Sequence, residues 1–327
     1  MLLQKNRNAD KIWYMDLKEI QRPVKELLAE TNTILIEKVK SNIRLLNEMI
    51  ALTPISKGKK IRSTLLFLLA GLNHSMSSEL PEIAASIEMF HLSSLIHDDI
   101  MDNSERRRGQ KTLNTNMGNF RSVLGGDYLF INSFTSFHNS GKPFLLDITL
   151  KSAKLMVEGQ IIEVANAYNF DIDLETYFDI INRKTSSLFA GVAQIVSALN
   201  GESPQQMKRF YQFGLDFGSI FQINDDMLDI FSTRSGKDRF RDLEEGKITL
   251  PFILLIKECG ADIKEDFLKG HKDKLLKLFE KYNIKALCME KIDSYHQRCV
   301  DFLNAFPDST YKESLFNLLD FIKYRDY

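Results

Sequence analysis

Residues 92–102 read Leu-Ser-Ser-Leu-Ile-His-Asp-Asp-Ile-Met-Asp, and residues 220–231 read Ile-Phe-Gln-Ile-Asn-Asp-Asp-Met-Leu-Asp-Ile-Phe. Both stretches carry the pattern Asp-Asp-x-x-Asp inside a segment that is otherwise apolar and helix-forming. Chance would place this pattern in such a chain on the order of 0.1 times, so two copies indicate a shared role. Carboxylates among core-forming residues are costly unless something positive compensates them. The pair therefore predicts two long helices that bring acidic groups to one site.

The spacing within each motif places two aspartates on one helical face, because residues four apart lie one above the other. Asp98 shares a face with Asp102, and Asp225 shares a face with Asp229. Two such faces across a cavity would form a site of oxygen ligands, which suits Mg²⁺ that keeps part of its water and bridges to substrate phosphates. The alternative is a pair of solvated acidic faces, which the apolar flanking residues disfavour.

The 327 residues are expected to form one large domain, residues 1–327, because no linker-like stretch or abrupt change of composition divides them. Only seven prolines and sixteen glycines interrupt long runs rich in Leu, Ile, Lys, Glu and Phe. This composition favours an all-α fold. The formal net charge of −1 excludes a global field that would attract nucleic acid or an anionic membrane.

Neither a targeting signal nor a cysteine-based site is evident. The first residues lack the apolar core of a signal peptide, and the longest apolar run, residues 65–72, is too short to cross a bilayer. Cys259, Cys288 and Cys299 have no metal-ligand spacing and form an odd set, which indicates reduced core thiols. We therefore expect a cytoplasmic protein without a transmembrane segment.

Apolar periodicity and turn residues predict helices almost throughout the chain. Ser203 and Asp308 are expected to cap two of them, and the polar stretch 232–246, with charges of both signs, is expected to form a loop that closes over a charged ligand. The predicted helical ranges are 16–30, 31–51, 60–73, 80–103, 117–138, 143–167, 174–199, 203–232, 248–258, 263–281, 284–305 and 310–325.

Small basic groups lie close to the acidic motifs in the sequence. They are Lys57 to Arg62, Arg106 to Arg108 after the first motif, Lys184 in mid-chain, and Lys237 and Lys247 after the second motif. Any one of them alone would be ordinary surface charge. Together with carboxylates that hold Mg²⁺, Arg and Lys side chains make a site for a diphosphate.

These residues resemble the trans-isoprenyl diphosphate synthases, in particular their long-chain polyprenyl (octaprenyl-type) branch. The similarity runs in order through Gly58-Lys59-Lys60-Ile61-Arg62, Phe90-His91, the first aspartate motif, Arg107-Arg108-Gly109, Gly126-Asp127-Tyr128-Leu129, Lys184-Thr185, Gln222 with the second motif, and Gly246-Lys247-Ile248-Thr249-Leu250-Pro251. The resemblance implies an all-α bundle around a deep central cavity, usually a homodimer. It also implies condensation of isopentenyl diphosphate with an allylic diphosphate.

The resemblance assigns roles to individual residues. Three Mg²⁺ ions would bridge the allylic diphosphate to Asp98, Asp102 and Asp225, with Asp99, Asp226 and Asp229 as further ligands or outer partners. Arg107, Lys184, Lys247 and Lys237 would hold the allylic diphosphate, whereas Lys59, Arg62, His91 and Arg108 would hold isopentenyl diphosphate. The hydroxyl of Thr185 and the amide of Gln222 can stabilise an allylic carbocation without capturing it.

Two positions depart from the family pattern. Phe240 stands where relatives have glycine in Gly-Lys-x-x-Gly-x-Asp-Leu, which puts the loop conformation and the role of Lys237 in question. Glu163 stands where relatives commonly have Gln.

Product length is expected to depend on the helix that precedes Asp98. Ser94, His91 and Ile87 are expected to face the cavity, with Ser93 and Phe90 at its flanks. This path is roughly 16 Å long from Asp98 to Ile87, and Gly214 and Gly218 are expected to widen it. Phe90 or Phe134 are candidates for the floor. By resemblance, we expect a product of about six to nine isoprene units, released with transient membrane contact.

Other functions remain open from the sequence alone. The main alternative is a short-chain synthase that makes farnesyl or geranylgeranyl diphosphate. A His-Asp metal phosphohydrolase would use His97-Asp98 but needs no second aspartate motif. A terpene cyclase usually mixes Asn, Ser and Glu in that motif, and a di-iron bundle needs a second copy of Glu88-x-x-His91. A catalytically silent subunit is disfavoured by the retained motifs.

Overall fold

A computed structural model describes residues 16–55, 57–107, 109–232, 239–260 and 263–325. Within these ranges the chain is helical almost throughout, and a short antiparallel pair of strands sets Arg106 opposite Lys111. The prediction of an all-α fold is confirmed.

The helices follow one another with short connections. A 3₁₀ turn, Arg22–Val24, joins α1 to α2, a π-helical turn, Asn182–Ser186, joins α9 to α10, and the strands are β1 (Arg106–Arg107) and β2 (Gln110–Lys111). The bounds are α1 (Leu17–Ile20), α2 (Lys25–Lys38), α3 (Arg44–Ala51), α4 (Ile61–Leu72), α5 (Leu80–Met101), α6 (Leu113–Met117), α7 (Asn119–Asn139), α8 (Pro143–Ala165), α9 (Leu174–Ile181), α10 (Ser187–Leu199), α11 (Pro204–Phe231), α12 (Arg241–Glu244), α13 (Leu250–Cys259), α14 (Lys264–Leu268), α15 (Lys272–Lys281), α16 (Ile284–Asn304) and α17 (Thr310–Tyr324).

Several sequence-based boundaries need correction. The predicted helix 31–51 is broken between α2 and α3, where the side chain of Asn47 bonds the backbone N–H and C=O of Ser41. The predicted helix 263–281 is interrupted at Gly270, whose φ of 64° ends the first part. The predicted loop 232–246 contains the short helix α12.

The two predicted helix caps have different outcomes. Ser203 caps α11, because its hydroxyl accepts a hydrogen bond from the backbone N–H of Gln206. The prediction for Asp308 is wrong by one position, since the Ser309 hydroxyl accepts the bond from the backbone N–H of Lys312 at the start of α17.

Helix α4 is the central helix of the bundle. Every residue from Ile61 to Leu72 is buried, as expected for a helix that is apolar on nearly all sides. It packs against α5, α10 and α17. Because its first turn contains Arg62, this packing places a guanidinium in the interior beside α5.

Helix α11 lies very close to the π-helical turn and to α10. A Cβ atom on Gly218 would lie 2.5 Å from the Cα atom of Ser186, and one on Gly214 would lie 2.5 Å from the Cα atom of Ala190. The expectation that these glycines widen the cavity is therefore wrong, because they allow two backbones to touch instead. The contact places the second aspartate motif near Lys184.

Two smaller expectations concern membranes and thiols. In the described ranges, no helix combines the length and the apolar composition needed to cross a bilayer. All three cysteines are free thiols, and Cys288 and Cys299 are buried in the core.

Candidate active site

A cavity of about 1480 Å³ lies between α4, α5, α7, α8, α11 and the π-helical turn. This volume exceeds the roughly 300–1,000 Å³ of sites that take small ligands. Its wall includes charged residues from both aspartate motifs and from the predicted basic groups, together with a large apolar surface. The helices thus bring residues that are distant in sequence to one concave site.

The first aspartate motif presents one carboxylate to this cavity. Asp98 lines the wall, whereas Asp99 and Asp102 bond basic partners. The Nε atom of Arg107 donates to Asp99 Oδ1 at 2.7 Å, and the ammonium of Lys247 lies 3.2 Å from Asp102 Oδ1.

The second motif presents Asp225 and Asp226. Asp225 Oδ1 lies 2.6 Å from the guanidinium of Arg325, which comes from the end of α17. Asp226 is buried and accepts hydrogen bonds from the Tyr177 hydroxyl at 2.5 Å and from the Gln222 amide at 2.8 Å.

Asp229 does not line the cavity, although the spacing places it on the face of Asp225. Its carboxylate accepts the backbone N–H of Arg241 at 2.9 Å and that of Asp242 at 3.4 Å. The sequence did not reveal the short helix α12, whose first backbone N–H groups need an acceptor and bond Asp229. We correct the expectation of a shared cavity face for this motif.

Burial disfavours the charged forms of several of these aspartates. It raises the pKa of Asp98, although Lys184 partly opposes this effect. Burial raises the pKa of Asp226 to about 7 and that of Asp229 to about 6, against the hydrogen bonds that each receives. A nearby cation would stabilise the charged forms of these buried carboxylates.

The donors fit a cation that also binds phosphate oxygens. Among the residues that the structure describes, no three His, Cys, Asp or Glu side chains are grouped closely enough to enclose a metal by themselves. Mg²⁺ commonly takes one or two carboxylates and completes its shell with water and substrate phosphates. The carboxylates of Asp98 and Asp225, which line the cavity, suit that arrangement.

Lys184 and Thr185 lie on the π-helical turn, a feature that is frequent at functional sites. A Cβ atom on Gly159 would lie 2.6 Å from the backbone N of Lys184, so glycine allows α8 to approach this turn. Lys184 contacts the carboxylate of Glu163 on α8. The Thr185 hydroxyl donates to the Gln222 amide oxygen at 2.7 Å, which connects the turn to Asp226.

A second group of basic residues lies on the cavity wall at the start of α4. Arg62 lies 3.0 Å from His91 Nε2, with its guanidinium 4.5 Å from the centre of the Phe189 ring. Lys59 also lines the cavity near this pair. Arg108 and Lys237 lie outside the described residues, so their assignments stay predictions.

The predicted chain-length residues are only partly placed as expected. Phe90, Ser93 and Ser94 line the cavity, but Ile87 packs in the main core and Phe134 lies behind the wall. Phe90 and Phe130 belong to an aromatic cluster on the cavity wall, in which their rings are 5.9 Å apart and both contact Phe134. From Asp98 to Phe90 this path is about 12 Å long, because α5 rises about 1.5 Å per residue.

Phe240 takes the backbone conformation that its glycine counterpart would favour. Its φ is 66°, and this left-handed conformation costs a non-glycine residue about 1–2 kcal/mol. The side chain is fully buried against Phe252 and Phe279, and burying such a ring contributes about 1.5–3 kcal/mol. The substitution therefore preserves the start of α12 and the hydrogen bonds to Asp229.

Sequence reasoning missed three partners of the motifs, namely Tyr177, Arg325 and Glu245. Glu245 contacts Lys247 beside Asp102. None of them belongs to a recognisable local pattern, and Arg325 lies 100 positions from Asp225 in the sequence. Only the fold brings them to the site.

An all-α bundle that collects two aspartate motifs and several lysines around a deep cavity has the features of an isoprenyl diphosphate synthase. The family model described as polyprenyl synthetase matches residues 43–282, and the chain belongs to this family. It is accordingly a prenyltransferase that elongates isoprenoid chains.

Individual relatives cover most of both chains. Octaprenyl diphosphate synthase from Escherichia coli strain K12 is 29% identical over 322 residues, which is 95% of this chain and all of the relative. A short chain isoprenyl diphosphate synthase from Methanothermobacter thermautotrophicus is 29% identical over 283 residues, with 83% and 87% coverage. The crystal structure of a polyprenyl synthase from Caulobacter crescentus, complexed with calcium and isoprenyl diphosphate, superposes with a TM-score of 0.89 at 24% identity, with 97% and 100% coverage.

Proposed function

We propose that this enzyme condenses isopentenyl diphosphate with an allylic diphosphate in repeated cycles and makes a long-chain all-trans polyprenyl diphosphate. The observation that carries the proposal is the cavity of about 1480 Å³, which extends from the aspartate motifs to the aromatic cluster around Phe90 and Phe130. A product chain can grow along this space while its diphosphate stays near Asp98 and Asp225.

The allylic site is assigned to the region between the two motifs. Divalent cations, which we propose to be three Mg²⁺ ions, would be held by Asp98, Asp102 and Asp225 and would supply charge that stabilises the leaving pyrophosphate. Arg107 and Lys247 can bind phosphate oxygens once Asp99 and Asp102 turn to the cations. Lys184, whose charge acts on Asp98, is the third basic residue of this region.

The cavity wall can protect a cation that forms when the allylic C–O bond breaks. Apolar side chains such as Phe221 and Ile181 exclude water from this region. The Thr185 hydroxyl and the Gln222 amide offer oxygen dipoles, and each is fixed by a hydrogen bond. The alkene of isopentenyl diphosphate then forms the new carbon–carbon bond, and we assign the departing proton to the pyrophosphate just formed.

We assign isopentenyl diphosphate to the basic group at the start of α4. Replacing His91 by Ala is expected to raise the KM for isopentenyl diphosphate about tenfold, because Arg62 loses the contact at 3.0 Å that orients its guanidinium. The KM for the allylic substrate should change much less. Steady-state kinetics with each substrate varied in turn measures both constants, and a larger change for the allylic substrate would reverse the assignment.

The test of the proposed function is a product analysis. Purified protein is incubated with Mg²⁺, labelled isopentenyl diphosphate and allylic primers of several lengths, and the products are sized by chromatography. Products of about six to nine units support the long-chain proposal, whereas products of three or four units support the short-chain alternative. Phosphate release without a new carbon–carbon bond would support a phosphohydrolase.

We also propose that the enzyme works as a homodimer. Helices α7 and α8 each expose a stripe of apolar side chains, and contiguous apolar surface of this kind commonly marks an interface. On α7, Phe120 is 79% exposed and Ile131 is 62% exposed. The stripes consist of Phe120, Val123, Leu124 and Ile131 on α7 and of Leu150, Val157, Ile161 and Val164 on α8.

Replacing Ile131 by Glu should convert the proposed dimer to a monomer, because a charge within an apolar interface must lose its water. Leu268→Glu is the matched control, since Leu268 is 60% exposed on α14, away from both stripes. Light scattering coupled to size-exclusion chromatography gives the mass of each variant. A dimer that persists in the Ile131 variant would contradict the proposed interface.

A cytoplasmic location is part of the proposal. The free thiols Cys288 and Cys299 are consistent with a reducing compartment.

A further inference from the structure

Glu163 lies on the cavity wall and belongs to neither aspartate motif. Its carboxylate contacts the ammonium of Lys184 and lies 3.3 Å from the Gln160 amide nitrogen. The side chain is only 19% exposed. Gly159 makes this contact possible, because it allows α8 to lie against the backbone of the π-helical turn.

The charge of Glu163 acts on both sides of the site. It contributes to the raised pKa of Asp98 on α5 and of Asp226 on α11, where burial is the larger cause. Burial alone would lower the pKa of Lys247, but Glu163 together with Asp102 and Glu245 raises it. Glu163 is therefore close to the groups that surround the proposed allylic diphosphate.

Arg107, Lys184 and Lys247, the described basic residues assigned to the allylic diphosphate, each contact a carboxylate. Arg107 pairs with Asp99 of the first motif, whereas Lys247 pairs with Asp102 of that motif and with Glu245 outside it. Lys184 differs, because its partner Glu163 lies outside both motifs. Cations that bind to the motifs would release Arg107 and would draw Asp102 away from Lys247, but they would leave Glu163 in competition with the diphosphate for Lys184.

We propose that Glu163 is a positioning residue that holds Lys184 between reaction cycles and competes with pyrophosphate for it, so that pyrophosphate leaves after each condensation. This inference rests on the proposed function. Chain elongation makes such competition useful, because every added unit leaves one pyrophosphate among the same cations that must receive the next allylic diphosphate. A lysine without a competing carboxylate would retain that anion longer.

Glu163→Gln removes the negative charge but keeps the position of the side chain, because glutamine has an oxygen that accepts a hydrogen bond from Lys184. We expect the dissociation constant of Mg²⁺ pyrophosphate, measured by titration calorimetry, to fall about tenfold, the size of one hydrogen bond to a charged group. Steady-state kcat should fall several-fold, whereas the single-turnover rate of the first condensation should stay within about twofold.

Glu158→Gln is the matched control. Glu158 lies on the same helix and pairs with Arg183 at 2.7 Å, a residue that is not assigned to substrate. In this variant, the dissociation constant of Mg²⁺ pyrophosphate and the steady-state kcat should both equal those of the wild type. Glu163→Asp, which keeps the charge, should restore weak pyrophosphate binding.

Two results would overturn the inference. One is pyrophosphate affinity that is the same in Glu163→Gln and the wild type, and the other is a loss of single-turnover rate as large as the loss of kcat. Calorimetry needs no turnover, so this test is independent of product analysis. A wild type that binds pyrophosphate but forms no carbon–carbon bond would contradict the proposed function instead.

Discussion

Replacing Asp98 by Ala is expected to lower kcat by at least about a thousandfold. Asp98 is the carboxylate of the first motif that lines the cavity, while Asp99 and Asp102 bond basic side chains. Without it, the cations that stabilise the leaving pyrophosphate lose a ligand, and the allylic C–O bond breaks more slowly. The loss should persist at saturating Mg²⁺ and substrate, because charge stabilisation in the transition state is affected.

The fold should survive this replacement. Burial already raises the pKa of Asp98, so its charged form contributes no stability to the metal-free protein at neutral pH. Circular dichroism and a melting curve check this point, and Asp147→Ala, which removes an exposed carboxylate from α8, is the control. A folded Asp98→Ala protein that elongates chains at a rate near that of the wild type would contradict the metal assignment.

The helical fold was predictable because its signal is local. Runs such as residues 61–72 are apolar over several turns, and the two aspartate motifs interrupt comparable runs. Turn residues fixed most boundaries, and the exceptions have local causes, such as the side chain of Asn47 that closes the loop before α3. Helix propensity alone does not predict a hydrogen bond between a side chain and the backbone of a loop.

The arrangement of the site was predictable only in outline. Four-residue spacing correctly grouped the acidic side chains on two helices, but it could not tell which of them reach the cavity. Asp229 is turned to the N-terminus of α12, and Asp225 meets Arg325 from the far end of the chain. Both aspartates contact residues that are distant in sequence, so the spacing of the aspartates alone could not predict these contacts.

The same limitation applies to the depth of the cavity. Ile87 lies on the helical face of Asp98, as its spacing indicates, yet it packs in the core. The rings of Phe90 and Phe130 line the cavity instead, and Phe130 comes from α7. A cavity wall built by side chains from two helices cannot be predicted from the sequence of either helix alone.

A bulky side chain in place of Ser94 is expected to limit the length of the product. Ser94 lies one helical turn from Asp98, about 6 Å along α5, and it lines the cavity between the motifs and the aromatic cluster. Its hydroxyl donates to the carbonyl of His91 in the same helix, at 2.8 Å, so among the described residues replacing it removes no hydrogen bond to another helix. Phenylalanine at this position would place a ring across the path of the growing chain.

Ser94→Phe is therefore expected to shorten the products to about three or four isoprene units, while the first condensation stays within a few-fold of the wild-type rate. Chromatography of labelled products measures length, and Ser94→Ala, which adds no volume, should leave it unchanged. Ser93→Phe should act in the same direction, but at a greater cost in stability, because Ser93 is only 1% exposed. Unchanged length in both Phe variants would place the limiting wall away from α5, since a ring near the motifs would then leave the path of the chain open.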